Sequence, residues 1–115
     1  MPKFLMLAVE DGQRFTDVSP AEMQAIIERY VTWTEEMRAA GQLLGSNKLR
    51  DGEGRRIVRR GKEIVVRDGP FPETKEVIGG YWIVDVPSDD AVVTLARKSP
   101  HLDFGTLEIR QIEEM

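Results

Sequence analysis

Six apolar residues in a row, Phe4 to Val9, are closed off by Glu10-Asp11-Gly12. The run is too short for an ordinary helix and suits a strand buried on both faces. Side chains alternate along a strand, so Phe4, Met6 and Ala8 line one face and Leu5, Leu7 and Val9 the other. Tyr81 to Val86, which stops at Pro87, is again largely apolar on both sides. A chain built on two such strands must cover both faces of its sheet.

The helices available can cover one. Ser19-Pro20-Ala21-Glu22 is a capping box with proline at the first helical position, and Met23, Ile26, Ile27, Tyr30, Trp33, Met37 and Ala40 recur at helical steps as far as Gly41. Ser88 caps a second, shorter helix with Asp89 and Asp90 in its first turn, Val92, Val93, Leu95 and Ala96 toward the core, and Arg97 and Lys98 at its end. Leu43 to Leu49 reads as an irregular strand, interrupted by Gly45 and Asn47. Arg56 to Arg59 and Glu63 to Arg67, joined across Arg60-Gly61-Lys62, form a hairpin, and Thr106 to Ile112 alternates as a half-buried last strand. The order β-α-β, hairpin, β-α-β predicts an α+β, ferredoxin-like antiparallel sheet with two helices on one face and an inserted β-hairpin. Apolar burial is worth ~25 cal/mol per Å2, so the second face is expected to be covered by an identical sheet. The expected partner is a second copy, giving a homodimer through the sheet face.

A length of 115 residues predicts one domain, 1–115. A net charge of −4 argues against nucleic acid as the partner, and no stretch is apolar enough to span a bilayer. The absence of cysteine excludes thiol chemistry and disulfides, and the short apolar start is no signal sequence, so a cytoplasmic location is expected. His101 is the one histidine, and His101-x-Asp103 offers too few ligands for a metal site. Neither Asp51-Gly52-Glu53-Gly54 nor Gly79-Gly80 is a phosphate-binding fingerprint, so no cofactor is expected. The hairpin arginines, without interleaved aromatics, read as a solvated edge that discourages aggregation.

Asp68-Gly69-Pro70-Phe71-Pro72 is a shaped loop, because both prolines fix φ and donate no N–H. His101 has the side chain whose ordinary pKa of ~6.5 suits proton transfer near neutrality. It reads either as a general base or acid, or as a structural residue at the end of the preceding helix. Asp68 reads either as its carboxylate partner or as a turn residue bonded to local N–H groups. Phe71, Tyr81 and Trp82 line a pocket for an apolar or aromatic ligand or form core and interface, while Lys75 and Glu76 are polar anchors for an anionic ligand or a solvated pair.

Over nearly the whole chain these motifs resemble the YCII-related proteins, in particular their DGPF branch. The resemblance rests on Lys3 to Val9, the capped helix, Asp68-Gly69-Pro70-Phe71 with Glu73, Lys75 and Glu76, Gly79-Gly80-Tyr81-Trp82-Ile83-Val84-Asp85-Val86, and Pro100-His101 to Arg110. It implies a dimeric α+β barrel and a histidine–aspartate pair in a cleft, for which His101 and Asp68 are the matching positions. The polar segment Gly45 to Leu49 departs from the proline-containing stretch often found there. Family members also occur beside alternative sigma factors, which implies a regulatory alternative. Two functions are therefore expected to compete. One is cofactor-independent proton transfer of isomerase or lyase type on a small molecule; the other is a non-catalytic ligand-binding or regulatory module.

Overall fold

Strand β1 (Lys3–Glu10) is hydrogen-bonded along both edges, to β5 (Val77–Asp85) on one side and β6 (Thr106–Gln111) on the other, both antiparallel. The structure, a computed structural model, describes residues 2–12, 15, 17–69 and 76–114. Helix α1 (Pro20–Ala39) follows β1, and β2 (Leu43–Lys48) then pairs with the far edge of β5. Strands β3 (Arg55–Arg60) and β4 (Glu63–Asp68) form a separate two-stranded hairpin, and α2 (Asp89–Arg97) with a 3-10 turn at Pro100–Asp103 connects β5 to β6. The main sheet has the order β2-β5-β1-β6. This is the expected ferredoxin-like α+β arrangement with an inserted hairpin, and in one chain the sheet stays open, with β2 and β6 as edges.

Local chemistry sets the boundaries. The Ser19 hydroxyl accepts a 3.1 Å bond from the Glu22 amide, and the Ser88 hydroxyl accepts a 3.2 Å bond from the Ala91 amide, each satisfying a donor that the first helical turn leaves unpaired. Register shifts between Leu43 and Gly45 in β2, as the glycine there implied. A second irregularity lies between Ala8 and Val9, which face Gly80 and Ile78 so that Gly79 is bulged out. A Cβ on Gly79 would meet the Glu10 carboxylate, the far end of a flexible side chain, so a larger residue there would displace Glu10.

The core lies between the helices and one face of the sheet. Phe4, Met6 and Ala8 of β1 and Trp82 and Val84 of β5 are buried there against Trp33 and Met37 of α1 and Val92 and Ala96 of α2. Trp33 and Trp82 meet edge to face at 4.9 Å, and each indole N–H is satisfied, by Leu95 O and Thr34 Oγ1 respectively. On the opposite face Leu5, Leu7, Val9, Tyr81 and Ile83 are only half-buried. The chain is a slab of 47 × 44 × 18 Å with a radius of gyration of 16.2 Å, against about 13 Å for a compact domain of its length. A single helix layer on a single sheet, plus a hairpin lying off that sheet, accounts for the difference.

Helix α1 departs from the expected even apolar stripe. Trp33 and Met37 are buried, but Ile27 is 45% exposed and Ala40 lies on the surface as the C-cap. The N-terminal half of the helix stands off the sheet. Met6→Ala removes a fully buried side chain and is expected to cost about 2–5 kcal/mol, whereas Ser88→Ala costs about 1 kcal/mol; urea unfolding midpoints at constant slope check both values.

Candidate functional site

Where α1 stands off, it roofs a cavity of about 500 Å3 whose floor is the start of β5 and the end of β1. Gly79 and Gly80 leave that floor without side chains, while Met23, Ile26 and Val31 supply an apolar roof. The aromatic wall is Tyr30 and Trp82, whose rings are nearly parallel at 7° with centroids 6.4 Å apart. That separation leaves no slot between them, so a flat ligand would lie along the wall. Two surface ion pairs frame the polar rim, Arg38 with Glu35 at 3.2 Å and Lys48 with Asp51 at 3.0 Å.

His101 lies at the inner end of this cavity and is only 1% exposed. Its backbone is set by the turn beginning at Pro100, where the Ser99 hydroxyl accepts from the His101 amide at 3.1 Å. Nδ1 is 2.7 Å from the Tyr30 hydroxyl and Nε2 is 3.0 Å from Val9 O. A carbonyl oxygen can only accept, so Nε2 carries a proton; in the neutral ring Nδ1 is then an acceptor, and the Tyr30 O–H donates to it. A buried imidazole is thereby satisfied at both nitrogens, joining α1, β1 and the 3-10 turn. Gly105 makes room for this bond, since a Cβ there would strike Val9 O and come within 2.9 Å of Nε2.

The structure does not bring all the residues expected to form a site together. His101 and Trp82 both line the cavity. Tyr81, next to Trp82 in the strand, faces the other side of the sheet and accepts a 2.9 Å bond from Asn47 Nδ2. Asp68 closes β4, is largely exposed, and pairs with Arg55 at 3.1 Å; no hydrogen bond or ion pair joins it to His101 among the described residues. Glu76 is exposed just before β5, and Phe71 and Lys75 lie outside the described residues. Tyr30, Glu10, Thr34 and Asn47 also line the cavity and were not expected there as site residues. Tyr30 carried a signal, a hydroxyl on the apolar stripe of α1, which burial would oblige to find a partner. Among the described residues no group of three His, Cys, Asp or Glu could hold a metal, and no helix is long and apolar enough to cross a membrane.

An antiparallel ferredoxin-like sheet with a cavity under its first helix defines a class of small α+β proteins. The YCII-related domain family matches residues 3–115, and the chain belongs to that family. A relative from Rhizobium meliloti, itself uncharacterised, is 36% identical over 52 residues, which are 44% of this chain and 42% of that protein, so the match spans less than half of that relative. Among solved structures the fold is similar to that of 5-chloro-2-hydroxyhydroquinone dehydrochlorinase (TftG) from Burkholderia phenoliruptrix in complex with 2,5-dihydroxybenzoquinone. That similarity has a TM-score of 0.51 at 14% identity, over 98% of this chain and 95% of that one, and is a likeness of fold.

Gly105→Ala is expected to push the imidazole off Val9 O and to destabilise the protein by about 1–3 kcal/mol through overpacking. A thermal melt measures the loss, and the ring signals of the lone histidine report the displaced bond.

Proposed function

We propose that the cavity under α1 binds a small flat molecule and carries out cofactor-independent proton transfer on it, of isomerase or lyase type, with His101 as the acid–base group. The observation that carries this reading is a fully buried histidine, joined through Nδ1 to a tyrosine, at the inner end of a mostly apolar cavity of about 500 Å3. Apolar walls with a few convergent polar groups are the usual form of a small-molecule site. The fold relative TftG, whose name records a dehydrochlorinase of a substituted hydroquinone, supports a flat oxygenated ring as the first ligand class to test. Asp68-Gly69-Pro70-Phe71 supports placing the chain in the DGPF branch of the family. Asp68 belongs to this chemistry only if its carboxylate leaves Arg55, its partner within the same hairpin, for the cavity.

One observation favours the second reading, a binding module without turnover. Both ring nitrogens of His101 are already satisfied, as they would be in a purely structural histidine. Solvent deuterium exchange into a panel of phenols and enolisable carbonyls separates the two. Parent protein is expected to accelerate exchange into at least one compound that it binds, and His101→Gln to lose about 10²–10⁴-fold of that rate while retaining binding. Binding with no exchange in the parent would establish the module instead.

We also infer a homodimer through the outer face of the sheet, where Leu5, Leu7 and Ile83 lie half-buried and Leu44 is 52% exposed. Water at these side chains would forfeit ~25 cal/mol per Å2 that a second sheet recovers. In sedimentation the parent is expected at twice the 13.1 kDa chain mass and Leu7→Glu as a less stable monomer. A parent that is monomeric and fully folded contradicts the dimer.

A further inference from the structure

We propose that Tyr30 is the group that exchanges protons with the bound molecule, and that His101 acts behind it as a positioning residue and proton store. This rests on the acid–base reading of the cavity and assigns its roles. The imidazole is 1% exposed, with Nε2 committed to Val9 O and Nδ1 to the Tyr30 hydroxyl. A ligand in the cavity therefore meets the Tyr30 oxygen before either ring nitrogen. Tyr30 is half-buried, lines the cavity, and stands beside the Trp82 face along which a flat molecule would lie.

The geometry also fixes the direction of transfer. Val9 O holds the proton on Nε2, so the lone pair of Nδ1 points at the Tyr30 O–H, 2.7 Å away. In the forward step the Tyr30 O–H bond breaks, an Nδ1–H bond forms, and the phenolate oxygen takes a proton from the substrate, leaving its conjugate anion. In the return step the Tyr30 O–H delivers its proton to a second position of that anion and Nδ1–H restores the phenol. The cycle balances in protons and electrons, moves one proton between two sites of the substrate, and needs no co-reactant. A phenolate is a strong base, which suits weakly acidic substrates, planar phenols and enolisable carbonyls rather than strong carboxylic acids. Trp82, Met23 and Ile26 supply apolar contact for such a ring.

The chain suits a direct test, because it has one histidine and two tyrosines. Protein labelled with 15N-histidine and 13Cζ-tyrosine, with Tyr81→Phe to assign the tyrosine signals, is titrated with 4-nitrophenol. Addition of the phenol is expected to move the Tyr30 and His101 Nδ1 signals together. In Tyr30→Phe the phenol is expected to bind within about tenfold of the parent while His101 no longer responds. An unchanged His101 response in Tyr30→Phe would overturn the role of Tyr30 and leave the cavity reading intact. Should 4-nitrophenol not bind the parent, that failure falls on the ligand class, and the free proteins decide the roles. There the Nδ1 signal must shift between parent and Tyr30→Phe if the bond exists in solution, and an unshifted signal sinks the proposal.

Discussion

Strand β1 pays two debts at once: its backbone is paired on both edges and its side chains are apolar on both faces. The backbone debt is met within the chain by β5 and β6. On the helix side, Phe4, Met6 and Ala8 meet the side-chain debt against Trp82, Val84 and the two helices, and the rest of the architecture follows from that burial. Helix α1 must cross the sheet to cover it, α2 must return to the same side, and the inserted hairpin must lie elsewhere because that face is taken. On the other face of the same strand Leu5, Leu7 and Val9 stay half-buried.

The cavity arises from the same constraint applied unevenly. Helix α1 is 20 residues, roughly 30 Å, and only the part bearing Trp33 and Met37 finds large side chains beneath it. Nearer its start it passes over Gly79 and Gly80, which offer nothing to pack against. The Tyr30–His101–Val9 chain of hydrogen bonds ties helix to sheet at the inner end of the cavity. A buried polar group of this kind is held only while each of its bonds is made, which makes the glycine at position 105 as much a part of the site as the imidazole it accommodates.

Most of the fold was legible in the sequence because it depends on short-range chemistry. The capping serines at 19 and 88, the apolar run from Phe4, the glycine-disturbed strand at Leu43 and the arginine-flanked hairpin each declare themselves within a few residues. The candidate site was legible only in part. His101 stood out by its chemistry and Trp82 by its place in β5, and both line the cavity. Tyr30 was hidden as one apolar position among several on a helix, since nothing local reveals that it reaches a histidine 71 residues away.

What the sequence determined by itself was the set of elements, their caps, and the need for apolar cover on both faces of the central strands, because propensity, alternation and turn chemistry act between near neighbours. Only the tertiary structure decided which polar groups meet. It gave Asp68 to Arg55 across the hairpin and set His101 between Tyr30 and Val9 O. Those pairings depend on strand register and on the angle at which α1 crosses the sheet, quantities fixed by the packing of the whole core and carried by no single stretch of the chain.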